Sequence, residues 1–181
     1  MAASMRGALA CLALALMAGL ALTSPRAVAQ ELAVGQVSGL PVPRYVSLKS
    51  DRVNLREGPS KEHRTSWVFQ RAGLPVEITA EFETWRRVRD ADGTEGWVLH
   101  SLLSGRRTVL VAPWSKVKGE TFALRDSASD NAAILASLEP GVIANVHSCP
   151  GGGWCNVTVN KINGYLRQDR LWGVYPNEKL N

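Results

Sequence analysis

Apolar residues along this chain recur mostly at every second position, the period of a strand with one face buried. The clearest run is PVEITAEFETW, in which Val76, Ile78, Ala80 and Phe82 fall on one face and Glu77, Thr79 and Glu81 on the other. WRRVRDADGTEGWVL reads as two further strands joined at Asp92-Gly93, residues that tolerate the positive φ of a tight hairpin turn. Gly58-Pro59 closes an earlier turn. From Arg44 onward, β-branched and aromatic runs are separated by turn residues with no sustained helical period, which predicts an all-β fold. Residues 30–43, QELAVGQVSGLPVP, follow neither period and are expected to form a flexible linker.

The first 29 residues break the pattern. Arg6 is followed by an apolar run from Ala8 to Leu22 and then by Ala27-Val28-Ala29, the layout of a secretory signal peptide cleaved after Ala29. The run is shorter than the roughly 20 residues that span a bilayer, so no stable membrane anchor is expected after cleavage. Cys11 leaves with this segment, and the mature chain keeps Cys149 and Cys155. An even pair in an oxidising space, periplasmic or extracellular, predicts a disulfide. Removing Arg6 and Arg26 lowers the net charge from +5 to +3 over 152 residues. That mild excess suits anionic wall polymers, and with no basic block it points away from nucleic acid.

The second half of the chain repeats the first. Leu55-Arg56 aligns with Leu124-Arg125, Trp85 with Trp154, Val88 with Val157, Gly96-Trp97 with Gly164-Tyr165 and Leu102 with Leu171, all at an offset of 68 or 69. A constant offset at separate points predicts two copies of one β unit. We place them at 44–106 and 107–176, with 177–181 as a tail and RRTVLVAPW as a shared or connecting strand. Each copy is near the lower size limit for a self-supporting core, so the copies are expected to pack together. The cysteines occur only in the second copy, across the hairpin leading into Trp154.

RVNLREGPS, an alternating strand and then WRRVRDADGTEGWV resemble the bacterial SH3-like domain, whose outline is Asn-x-Arg-x-Gly-Pro-Ser, a Trp strand and a closing Gly-Trp-Val. The first copy matches the whole outline. The second keeps Arg125, Trp154 and Gly164 but has Ala123 in place of Asn54 and lacks the Gly-Pro turn, which makes it a degenerate member. The resemblance implies two tandem SH3-like β-barrels, non-catalytic, that target cell-wall peptide or glycan. Two linked modules raise avidity where both sites engage at once.

Chemistry-bearing residues were weighed against plainer roles. A cysteine hydrolase acting on wall peptides would need Cys149 or Cys155 with His147 and with Asp130 or Asp169, but a disulfide disarms the thiol. Zinc would need a fourth ligand beside Cys149, Cys155 and His147, which shares a strand face with Cys149. Glu77 and Glu81 read as a solvated strand face, and Arg86-Arg87 and Arg106-Arg107 as surface charge. No cofactor or phosphate-loop motif is present. Tryptophan and arginine together commonly anchor binding surfaces, and the expected ligand-binding set is Trp85, Arg87, Arg89 and Trp97. The functional expectation is a non-catalytic exported envelope protein that binds cell-wall peptide or glycan. A periplasmic protein–protein adaptor, accepting a partner strand at a sheet edge, is one alternative, and an envelope cysteine hydrolase acting on wall peptides, with Cys149 kept reduced, is the second.

Overall fold

The computed structural model describes residues 33–181, and the signal-peptide reading of residues 1–29 lies outside them. A short hairpin of β1 (Ala33–Val34) and β2 (Pro41–Val42) leads into two seven-stranded antiparallel sheets. The first contains β3 (Arg44–Leu48), β4 (Val53–Arg56), β5 (Thr65–Phe69), β6 (Pro75–Phe82), β7 (Trp85–Arg89), β8 (Glu95–Leu99) and β9 (Leu103–Ser104), in spatial order β5-β4-β8-β7-β6-β3-β9. The second contains β10 (Thr108–Val111), β11 (Phe122–Arg125), β12 (Ile134–Leu138), β13 (Ile143–Gly151), β14 (Trp154–Val159), β15 (Ile162–Arg167) and β16 (Leu171–Trp172), in the order β12-β11-β15-β14-β13-β10-β16. The two orders are the same. Thr108–Val111 is therefore not a shared strand but the first strand of the second sheet. The fold is all-β, two SH3-like barrels in tandem, with no α-helix among the described residues.

Each barrel closes on its own core. Val53, Leu55, Val76, Ile78, Val88 and Val98 fill the first, and Val109, Val111, Leu124, Val157 and Leu166 the second, all 0–1% exposed. A matched pair of glycines, one in each barrel, is required by close approach. A Cβ on Gly96 would lie 2.6 Å from Leu55 Cγ and 2.8 Å from the Arg56 carbonyl oxygen, and one on Gly164 would lie 2.6 Å from the Arg125 oxygen and 2.8 Å from Leu124 Cγ.

A β-bulge between Ile78 and Ala80 reverses the face assignments downstream, because one extra residue moves every later side chain across the sheet. Phe82, expected to point inward, is 49% exposed and meets Trp97 edge-on at 6.5 Å. Glu81 and Arg86, opposite each other in the register, turn inward instead. Arg86 is 3% exposed and its Nε lies 3.4 Å from Glu81 Oε1, an ion pair without hydrogen-bond geometry. Neither residue is the solvated surface charge that the alternation implied.

Residues 33–42 do not behave as a linker. Glu81 accepts bonds from the Val37 amide (3.1 Å), the Ser38 amide (2.8 Å), the Ser38 hydroxyl (2.6 Å) and Arg44 Nη2 (2.7 Å), which pins the β1–β2 hairpin over the end of the first barrel. Gly35 sits so close that a Cβ there would fall 2.6 Å from the Glu81 carboxylate. The final residues are docked too: Leu180 pairs with Cys149 through both backbone bonds, 2.8 and 3.2 Å.

The seam between the barrels is polar and aromatic. Glu77, on the outer face of β6, is 2% exposed because the second barrel's C-terminal segment covers it. It accepts a bond from Tyr175 Oη at 2.8 Å and another from Arg89 Nε at 2.9 Å. Tyr45 stacks between Trp172 and Tyr175, at centroid distances of 5.3 and 4.7 Å. Arg107, also expected to be surface charge, pairs with Glu178 at 2.9 Å and donates to the Gly173 carbonyl. Thr108 Oγ1 donates to the Gly73 carbonyl at 2.7 Å across the same seam. Burial first, and then the Glu77 carboxylate, push both Tyr45 and Tyr175 well above the usual phenol range, so both keep their protons.

Candidate functional site

The four residues expected to bind ligand lie on the outer face of one sheet without converging. Arg87 pairs with Glu95 at 2.6 Å and stands opposite Trp97 in the ladder. Arg89 is spent on Glu77 at the seam. Trp85 is 6% exposed, so it serves as a pocket wall and not as a free aromatic surface.

The groups that do converge on Trp85 come from β4 and the loops beside it. Arg52, Asn54, Arg56 and Lys61 surround a pocket of about 300 Å³, with Trp85, Leu99 and Leu102 as its apolar walls. The backbone explains the gathering. β4 turns Val53 and Leu55 into the core and Asn54 and Arg56 outward, and Leu99 stands directly opposite Trp85 in the β7–β8 ladder. Arg56 is held in place because its Nη1 donates to the carbonyls of Lys61 (3.0 Å) and His63 (2.7 Å). No carboxylate lines the pocket, and among the described residues Arg52, Arg56 and Lys61 form no ion pair.

The second barrel has a pocket at the same place in its fold, with a different lining. Thr121, Ala123, Arg125 and Asp130 stand where the first has Arg52, Asn54, Arg56 and Lys61, and Arg167 and Arg170 replace Leu99 and Leu102; the ladders set Leu171 against Leu103, and not against Leu102 as the repeat implied. Arg167, opposite Trp154 in the ladder, lays its guanidinium 5.3 Å from the indole centroid. Its Nη1 lies 3.5 Å from Asp130, and Asp169 pairs with both Arg167 and Arg170 at 3.8 Å. The remaining space is about 170 Å³. The second pocket is narrower and crossed by ion pairs of its own side chains; the first is wider and carries cations with no anion. A larger groove of about 520 Å³ runs along the seam beside Tyr45, Trp114 and Trp172, and its charged rim, Arg167 and Asp169, is already paired.

The cysteines and the histidine that a hydrolase would need do not form a catalytic pair. Cys149 and Cys155 are joined in a disulfide and fully buried. His147 does not share their face: it points outward like Asn145, with its Nε2 2.7 Å from Thr158 Oγ1, and the bulge between Val146 and Ser148 turns Cys149 inward. Among the described residues no cluster of three metal-ligating side chains occurs, and no helix is long and apolar enough to cross a membrane.

Arg52 and Lys61 were missed in the sequence because both sit in loops without a pattern of their own. The repeat held the available signal: the offset of 69 sets Lys61 against Asp130, a reversal of charge at a matched position.

Two barrels of one topology, each with a pocket at the same point, define a tandem domain protein of the SH3-like class. The bacterial SH3 domain model matches residues 49–105 and 118–173, so the chain belongs to the bacterial SH3 domain family. Among solved structures, the chain is similar to NlpC2 from Trichomonas vaginalis (12% identity, 72% of this chain and 48% of that one, TM-score 0.33). It is similar also to NlpC1 from the same organism (13% identity, 77% and 48%, TM-score 0.33). A further similar structure is an NlpC/P60 family protein from Bacillus cereus (12% identity, 71% and 55%, TM-score 0.31). This chain spans about half the length of these structures. No curated protein matches it.

Proposed function

We propose that this is a non-catalytic exported protein of the cell envelope that recognises cell-wall peptide or glycan through its first barrel, the second barrel serving as structural support. One observation carries the reading: the same pocket is wide and cationic in the first barrel, and narrower and crossed by the Asp130–Arg167 pair in the second. Family membership supports a wall ligand by analogy. Export is supported by the amino-terminal pattern and by the disulfide, which persists in an oxidising compartment. The disulfide also removes the only thiols available for a hydrolase among the described residues.

The test is sedimentation of the protein with purified peptidoglycan across a salt series, beside an Arg52→Glu, Lys61→Glu double variant. Both side chains lie at the surface, so the variant is expected to fold. Parent that pellets with the wall, and variant that stays in solution, support the reading. Parent that stays in solution at low salt refutes it, and capture of a single envelope protein would then favour the adaptor.

A further inference from the structure

The pocket of the second barrel shows what the wider pocket of the first is short of. There, a carboxylate (Asp130) stands where the first barrel has Lys61, and it engages the cation lying over the tryptophan. The first pocket has an apolar wall, Trp85 with Leu99 and Leu102, where the second has Arg167 and Arg170, and it brings Arg52, Arg56 and Lys61 together with no anion among them. Gathering three cations around an apolar wall costs free energy that an incoming anion offsets, and arginine in particular binds planar oxyanions through paired N–H groups.

Resting on the wall-binding reading, we propose that the first barrel recognises the free terminal carboxylate of a short peptide. The carboxylate sits among Arg52, Arg56 and Lys61, and the small apolar side chain beside it lies against Trp85, Leu99 and Leu102. Three features favour a peptide terminus over a phosphate polymer or a glycan strand. The apolar wall directly beside the cations suits a ligand whose charge adjoins a hydrocarbon group. Asn54, exposed at the rim, offers both an amide donor and an acceptor to the preceding peptide bond. The volume of about 300 Å³ is at the small end of ligand pockets and holds an end, not a chain running through.

The experiment titrates the protein with N-acetyl-alanyl-alanine, with the same dipeptide as its carboxamide, and with inorganic phosphate, following the tryptophan indole N–H signals by NMR. The free acid is expected to shift the Trp85 signal, assigned through a Trp85→Phe variant, with an affinity at least tenfold above the amide's. Lys61→Glu should abolish the shift and leave the remaining indole signals in place. Equal response to acid and amide, or to phosphate and acid, overturns the assignment, as does a response centred on Trp114 or Trp172. Wall sedimentation run in parallel separates the two claims. Wall binding with no preference for the acid sinks this inference alone, and preference for the acid without wall binding sustains it and sinks the proposed function.

Discussion

Glu81→Gln isolates the carboxylate that anchors the amino-terminal hairpin. Burial by itself pushes the Glu81 carboxyl up, and the bonds from Ser38, Arg44 and the Ser38 and Val37 amides override it and hold the group at about 2, against an ordinary 4.5. A difference of that size corresponds to at most about 3 kcal/mol. The hairpin around it is largely exposed, and screening there reduces the expected share to about 1–2 kcal/mol. The folded-state value lies below the unfolded one, so the contribution is complete above about pH 4.5 and is lost as pH falls toward about 2. Glutamine keeps one acceptor oxygen, but its amide group confronts Arg44 and Arg86 or the two backbone N–H donors, so several bonds are lost together. The assay is amide hydrogen exchange at Gly35 and Gly39, whose bonds to Leu40 and Gly35 (2.8 and 2.9 Å) hold the hairpin closed without touching the carboxylate. At pH 7 protection in the variant should fall roughly 5- to 30-fold, and the gap between parent and variant in urea unfolding should narrow between pH 5 and pH 2.5. A gap that is absent at pH 7, or unchanged at pH 2.5, refutes this account of the anchor.

Gly96→Ala and Gly164→Ala should each cost about 1–3 kcal/mol, a fall in Tm of several degrees, because the new methyl meets a carbonyl oxygen and a core leucine in both barrels. Tyr175→Phe, which leaves the stacking on Tyr45 intact and strips a buried carboxylate of a donor, should cost about 1–3 kcal/mol in urea unfolding. Reducing the Cys149–Cys155 disulfide should lower stability by roughly 2 kcal/mol, the chain-entropy value for so short a loop, with the first barrel's indole signals unmoved. Thr121→Arg, Ala123→Asn, Asp130→Lys, Arg167→Leu and Arg170→Leu together, which install the first barrel's residues in the second pocket, should add a second equivalent of bound peptide in titration calorimetry.

The strands were legible because each barrel is built on alternation, and the tandem was legible because Arg56 with Gly96, and Arg125 with Gly164, solve one local problem twice. In each barrel the glycine lets β8 or β15 press against the preceding arginine's carbonyl. The bulge at Ile78–Ala80 left no mark in the alternation, since Ala80 tolerates either face and Phe82 is apolar wherever it points. Glu81 and Arg86 were misplaced for that reason. Residues 33–42 looked structureless because their order comes from a carboxylate 43 residues away, a dependence that no local period records. The pocket was half legible. Trp85 stood out as a large aromatic among arginines, but the arginines that matter lie on β4 and the loops beside it, not on Trp85's own strand.

On the proposed function, the difference between the two pockets sets the protein's valency. With one binding pocket among two modules, the molecule would hold a repeating polymer by one contact at a time. Its dwell time is then set by single-site dissociation, its occupancy rises in simple proportion to ligand density, and it moves from strand to strand without bridging them.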